Sequence, residues 1–370
     1  LDNILEVYIA KADSAGSEAY ANLFLPAAPY VLFDALDKAR VQQGDEMYFQ
    51  VEEYYAFEFM EPFIADCDNL VELNALCRKL SELDEMQGAA FEGLLKMEIA
   101  KKDGPITVGK LIDLAYSADC CHVVDEALND SQLGRFYAEN GFVPEVDNLS
   151  DRLFDMLDFE RIGREQRQGE GGVFTERGYV VHHSELTEVY KDMSFHIRTP
   201  DYQILLELPD GSHLELPAKE LPNAPSHYCV DCRVPSLMAA IDAADLDEVN
   251  EFAMLLKSMG DALVRKYKAV LCATGCETLE DAATLAGYLD EYTFDEDISS
   301  LRELGLDELE FSMGKENADL LAKYTDLYSY GRALLERDQS AITGYGLVAR
   351  PDHQPLQNLS EQQAQQHMMT

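Results

Sequence analysis

Apolar and polar residues alternate near the start of the chain, with Leu5, Val7 and Ile9 separated by Glu6 and Tyr8. A period of two predicts a half-buried strand over 5–9, with 21–25 as its pairing partner. The period then lengthens. Leu32, Leu36 and Ala39 share one side of a helix predicted over 31–40. Strand-like material returns at 47–49 and 56–59. From 69 to 83, Leu70, Leu73, Leu76, Leu80 and Leu83 recur at helical spacing, and Asp68 stands where a cap is expected. A second helix follows over 91–101. Gly104-Pro105 breaks the chain, and Thr107 is placed to cap a helix running through Leu114. In the second half, 195–197, 202–208 and 213–216 read as a β-meander with Asp210-Gly211 as a tight turn. Helical spacing resumes over 249–259, 262–272 and 279–289. The pattern is α+β: small antiparallel sheets followed by helices, twice over.

The recurrence extends to residues. Glu72-Leu73-Asn74, followed by Leu76 and Leu80, matches Glu248-Val249-Asn250, followed by Phe252 and Leu256. Thr107-Val108 through Leu133-Gly134 matches Thr278-Leu279 through Leu304-Gly305 without a gap. Within that stretch Leu114-Ala115 and Leu285-Ala286 read as one residue out of column. Ile162-Gly163-Arg164 matches Tyr330-Gly331-Arg332, and Gly178-Tyr179-Val180-Val181 matches Gly346-Leu347-Val348-Ala349 at the same offset. The N-terminal parts agree only through Phe24-Leu25-Pro26 against Glu207-Leu208-Pro209. Anchors in one order at nearly one spacing indicate two tandem modules, 1–188 and 189–351. Residues 352–370 are polar and rich in Gln, and are expected to form a disordered tail.

Charge changes the picture more than any motif. The chain carries 70 acidic and 29 basic residues, a formal net charge of −41, divided about evenly between the modules. Disordered acidic chains are poor in aromatics, whereas this one holds 19 Tyr and 16 Phe, so it is expected to fold with acids over its surface. Such a surface repels nucleic acid and anionic membrane and attracts basic proteins. Duplex DNA carries one charge per ~1.7 Å of axis, so 41 charges correspond to about 70 Å of duplex. No apolar run is long enough to span a membrane and no signal peptide is read at the start, so the expected location is cytoplasmic.

Enzyme signatures are weak. Gly169-Glu170-Gly171-Gly172 lacks the lysine of a phosphate loop and is expected to be a turn between the Arg164 helix and the Val173 strand. His182-His183 are adjacent, so on a strand their rings point to opposite faces. Cys229, Cys232, Cys272 and Cys276 could supply zinc thiolates, but the gap between the pairs is long, and the eight cysteines read as reduced thiols. Neither a catalytic group, a cofactor nor a metal is predicted. The candidate site is instead a distributed set of carboxylates: Asp113, Asp119, Asp125, Glu126 and Asp130 in the first module, and Asp290, Glu291, Asp295, Glu296, Asp297, Glu303, Asp307 and Glu308 in the second. Acids four apart on a helix lie about 6 Å apart along its axis, close to the phosphate spacing of one DNA strand. For any single acid, a solvated helix face remains the simpler reading.

These residues resemble a known pattern. Val7-Tyr8-Ile9-Ala10, then 70–76 (Leu-Val-Glu-Leu-Asn-Ala-Leu), the acidic stretch after Thr107, the 159–164 segment and Gly178-Tyr179-Val180-Val181 follow the order found in ArdA-type antirestriction proteins of conjugative elements and phages. The resemblance covers most of 1–185 and, more weakly, 245–350. It implies an elongated acidic protein, three-part within each module, that imitates bent B-form DNA and blocks Type I restriction-modification enzymes. Family members act as dimers. Carrying two modules in one chain departs from them and implies either a pseudo-dimer within the chain or a homodimer. The expected partner is a DNA-binding protein with a basic groove, a CRISPR effector being an alternative to the restriction enzyme. An acidic adaptor for another basic protein is the competing class.

Overall fold

The computed structural model describes residues 3–12, 18–42, 44–102, 104–146, 149–196, 198–223 and 226–356. The first module opens with β1 (Leu5–Lys11), β2 (Tyr20–Leu25), α1 (Pro29–Lys38) and β3 (Met47–Tyr54). The helices α2 (Glu61–Ile64), α3 (Leu70–Ser81), α4 (Glu85–Lys101) and α5 (Val108–Tyr116) follow. Then come β4 (Cys121–Asp125), α6 (Asp130–Glu139), α7 (Asp151–Phe154), α8 (Phe159–Glu170), β5 (Val173–Phe174) and β6 (Gly178–His182). The second module runs β7 (Ile204–Glu207), β8 (His213–Leu216), β9 (Tyr228–Cys232) and α9 (Met238–Ala243), then α10 (Leu246–Ser258), α11 (Asp261–Thr274) and α12 (Leu279–Ala286). It closes with β10 (Thr293–Asp295), α13 (Leu301–Met313), α14 (Lys315–Ala322), α15 (Leu327–Asp338), β11 (Ala341–Thr343) and β12 (Gly346–Ala349). No helix among the described residues is long and apolar enough to cross a membrane.

The repeat holds at the level of topology. The opening sheets are ordered β2-β1-β3 and β8-β7-β9, each with its first strand in the middle. The closing sheets are ordered β4-β6-β5 and β10-β12-β11, each with its last strand in the middle. Thr107 accepts a hydrogen bond from the Lys110 amide to cap α5, and Thr278 accepts from the Asp281 amide to cap α12. Leu114 and Leu285 stand at equal distance from these caps, so the apparent slip at Leu114-Ala115 does not exist. The partner of Leu25-Pro26 also differs from the sequence reading. Pro26 and Pro217 each directly follow the second strand of their sheet, so by position Leu25-Pro26 corresponds to Leu216-Pro217 rather than Leu208-Pro209.

Other differences have local causes. Residues 56–59 do not extend as a strand but enter the 3-10 turn Glu58–Met60, which leads into α2 with Pro62 in its first turn. The α3 cap is Asn69 rather than Asp68; its side chain accepts from the Val71 and Glu72 amides at 3.0 and 3.2 Å. Residues 195–196 lie outside any strand, Ile197 lies outside the described residues, and the third strand of the second opening sheet is β9. Gly169 sits inside the last turn of α8, and Gly171 supplies the left-handed C-cap at φ 72°. Of the tail expected over 352–370, residues 352–356 are described and Leu356 packs against the second unit's core, while 357–370 lie outside the described residues.

The compact units divide the chain differently from the repeat. One comprises Leu1–Glu6, Phe24–Pro26 and Val51–His196; the other comprises Val7–Leu23, Ala27–Gln50 and Ile197–Thr370. Within the second unit, β7, α10 and α11 share one core, in which Ile204, Leu206, Val249, Phe252, Tyr267 and Leu271 are buried. Helix α1, encoded in the first module, belongs here. Its own N-cap residue, Ala28, offers no side-chain acceptor. Buried Asp231 of β9 takes that role, accepting from the Tyr30 amide at 3.1 Å and from the Tyr202 hydroxyl at 2.8 Å. At the other end of α1, Lys268 of α11 bonds Asp34 and Asp37, each at 2.9 Å.

In the first unit, α6 and α8 cross at backbone contact. A Cβ at Gly134 would lie 1.9 Å from the Phe159 carbonyl oxygen, and one at Gly163 would lie 1.8 Å from that of Asp130. The second unit repeats the arrangement with Gly305 and Gly331 in α13 and α15, at 2.7 and 1.9 Å from the carbonyl oxygens of Leu327 and Leu301.

Candidate protein-binding acidic surface

The acids of the second unit gather where β10 turns into α13. Ser300 caps α13 by accepting from the Glu303 amide at 3.2 Å. Glu303 in turn accepts from the Ser299 amide and hydroxyl and from the Glu18 amide, so it serves to hold the turn. Asp295 accepts from the Asp297 amide at 3.0 Å, keeping both carboxylates on the exposed turn. Asp307, one turn further along the helix from Glu303, is exposed. Partial burial raises its carboxyl above the usual range, and the charges of Asp295, Glu310, Glu308 and Asp297 add to the effect. These acids form one concentration of negative potential. Glu308 lies 3.9 Å from Arg337 Nη1, but Arg337 is held more closely by Asp338 at 2.7 Å.

The remaining candidates of this unit are less free. Glu296 lies 3.2 Å from Arg265 Nε and Glu291 lies 3.5 Å from Arg350 Nη2. Asp290 is exposed in the 3-10 turn Leu289–Glu291.

In the first unit the candidate acids serve several purposes. Asp113 is half-buried on α5 and accepts from the Val189 and Tyr190 amides at 2.7 and 2.9 Å, pinning the segment after β6. Asp130 receives both arms of Arg167 at 2.8 and 3.1 Å, and this hydrogen-bonded ion pair holds its carboxyl below the usual range. Asp125 lies 3.4 Å from Arg177 Nε. Asp119 is exposed and accepts from Gln87 Nε2 at 2.8 Å, and Glu126 is exposed at φ 60°. Asp113 and Asp130 therefore do not belong to an exposed row, whereas Asp119 and Glu126 remain exposed.

Glu310 belongs to the Asp307 group although sequence reasoning passed over it; its spacing of three from Asp307 on one helix was the available signal. The buried acids Asp34 and Asp231 were also passed over. Lys268, among the buried Val264, Tyr267 and Leu271 of α11, was the trace of the first, because a lysine on an apolar helix face calls for a buried carboxylate.

Cys229 and Cys232 are core side chains, Cys272 is exposed, and Cys276 is half-buried. The ring of His183 lies 4.2 Å from that of His122. Among the described residues no group of three or more His, Cys, Asp or Glu is arranged to hold a metal ion. What the arrangement offers is a display of carboxylates, which can engage lysines and arginines of another protein. No family model and no curated protein matches the chain.

Proposed function

We propose that the chain is a DNA mimic that occupies the DNA-binding groove of a Type I restriction-modification enzyme. The observation that carries this reading is the set of carboxylates around Asp307, which repel one another, with no ion pair to Asp307 itself among the described residues. A chain that keeps such a cluster forgoes stability unless a basic partner relieves it. The net charge of −41 and the repetition of the acidic module support the same reading. Lysines and arginines that grip phosphates would meet the carboxylates instead, and association would weaken as salt rises, as DNA binding does.

A purified Type I methyltransferase held on labelled cognate duplex is the direct test. Displacement at near-stoichiometric protein, weaker at higher salt, is the expected result. An absence of displacement at both low and high salt would sink the Type I assignment, and the titration would pass to a CRISPR effector before an acidic adaptor is preferred.

Asp307→Asn sharpens the test because it should act in opposite directions. It removes repulsion from the free chain, so thermal unfolding at neutral pH and low salt should shift upward, by about 0.5 kcal/mol on the scale of like-charge helix pairs. The sign follows from the raised carboxyl: the ionised form destabilises the folded chain above its folded pKa, and acid relieves this as pH falls. Displacement should weaken by no more than about threefold, because binding energy is spread over many contacts. A lone Asp119→Asn that abolished inhibition would contradict that distribution.

A further inference from the structure

One face of the opening sheet is not explained by the acidic rows. Tyr8 of β1 stacks on Tyr20 of β2 with ring centroids 5.4 Å apart and an interplanar angle of 21°. On its other side, Tyr48 of β3 meets it edge-on at 6.4 Å. Tyr20 and Tyr48 remain 57% and 49% exposed, while Ala21, Leu23 and Leu25 of β2 are buried on the opposite face. Cross-strand aromatic pairs stabilise a sheet, but that role alone does not account for the charge beside each ring. Glu18 stands two residues before Tyr20 and Glu46 two residues before Tyr48; both are exposed, and the Glu18 carboxylate, which accepts from the Tyr328 hydroxyl at 2.9 Å through Oε1, keeps its charge and its other oxygen for a further donor. On β1 the same spacing recurs from Glu6 to Tyr8. The Ala12 amide donates to the Glu46 carbonyl at 2.9 Å, so the extended pairing reaches Glu46. Neighbouring Asp45 is occupied by Lys11 at 2.8 Å.

We propose that the Tyr8–Tyr20–Tyr48 face, edged by Glu18 and Glu46, is a docking platform for arginine side chains of a basic protein partner. Charge complementarity selects the occupant. At a net charge of −41, the phosphates of a nucleic acid are repelled and their bases with them, which leaves cations as guests for the ring faces. Among cations the guanidinium suits this surface better than an ammonium: it is planar, weakly hydrated, stacks on tyrosine and reaches a carboxylate from its edge. The platform extends the acidic-surface reading by assigning arginine, rather than any positive charge, to one part of the contact. Its test involves no restriction enzyme, so failure of the displacement assay and failure of this proposal are separate outcomes.

The full chain is titrated with tetra-arginine and with tetra-lysine at equal salt by calorimetry. Wild type is expected to prefer tetra-arginine by about three- to tenfold, the scale of one or two exposed cation–π contacts. Tyr20→Thr/Tyr48→Thr keeps residues suited to strands at both exposed positions and should bind the two peptides equally, at the wild-type affinity for tetra-lysine. Tyr20→Phe/Tyr48→Phe keeps the rings and should keep the preference. Equal binding of both peptides by wild type overturns the proposal, as does a preference that survives in a folded threonine variant. Should the threonine variant not fold, the wild-type Tyr8, Tyr20 and Tyr48 ring-proton resonances decide. They should shift with tetra-arginine and not with tetra-lysine, and unmoved resonances overturn the platform.

Discussion

Gly163→Ala is expected to destabilise the first unit by about 3 kcal/mol or more, against the trend for exposed helices. Alanine normally gains about 1 kcal/mol over glycine inside a helix. Here the added Cβ would stand 1.8 Å from the Asp130 carbonyl oxygen, and its counterpart at Gly134 would stand 1.9 Å from that of Phe159. Both obstacles are backbone atoms, so no rotamer change relieves them; α6 and α8 must move apart. That separation would also stretch the Arg167–Asp130 ion pair, which joins the two helices at 2.8 Å. Gly331→Ala should behave alike at 1.9 Å, and Gly305→Ala more mildly at 2.7 Å. Gly169→Ala is the control, because nothing lies within 4 Å of its Cβ position near the end of α8. Urea unfolding followed by circular dichroism measures all four. An unfolding midpoint for Gly163→Ala at or above that of Gly169→Ala would contradict the close crossing.

Lys268→Met carries the other large expected effect. The Lys268 side chain is 3% exposed and bonds Asp34 and Asp37, each at 2.9 Å. Asp34 is 7% exposed and also takes Lys38 at 2.8 Å and the Tyr345 hydroxyl at 2.8 Å. Removing the ammonium leaves a buried carboxylate short of one counter-charge, at a cost of about 3–5 kcal/mol. Asp34→Asn in the Lys268→Met background should recover much of that loss, because the amide needs no counter-charge and can still receive the Tyr345 hydroxyl. A double variant no more stable than Lys268→Met alone would place the loss in packing rather than charge.

The same cluster sets a pH dependence. Burial alone would raise the Asp34 carboxyl, but Lys268 and Lys38 outweigh it and hold it below the usual range. Its contribution to stability is therefore present above the unfolded pKa and is lost as pH falls through the folded one. Burial would lower the Lys268 ammonium, yet Asp34 and Asp37 raise it. That contribution is present below the unfolded lysine pKa and is lost as pH rises through the folded one. Replacing both Asp34 and Lys268 should flatten acid and alkaline limbs together.

Much of the fold was legible because local pattern and tertiary environment agree there. Leu5, Val7 and Ile9 are buried as their alternation predicts, Leu70 through Leu80 line the buried face of α3, and Thr107 caps α5. The repeated Gly134, Gly163, Gly305 and Gly331 were visible as matched letters, but their meaning was not. A glycine in a helix reads as a propensity cost until the opposing backbone is known. The strand β9 escaped notice because Cys229, Asp231 and Cys232 break the expected alternation; all three are buried, the aspartate through its bond to α1. For the acidic surface, positions were legible and availability was not. Asp113, Asp130 and Glu303 look like Asp307 in sequence, yet each is occupied by amides or arginines that lie far along the chain or sit at a capping turn.

The sharing of α1 has an evolutionary consequence. A duplicated gene can ordinarily shed one copy and return to its former state. Here the helix encoded by 29–38 takes its N-terminal acceptor from Asp231 and its buried cation from Lys268, both supplied by the other copy. Deleting the second copy strips α1 of both, and deleting the first removes the groups that Asp231 and Lys268 satisfy. Neither repeat keeps these buried charges paired by itself, so loss of either half is expected to leave uncompensated charge in the half that remains.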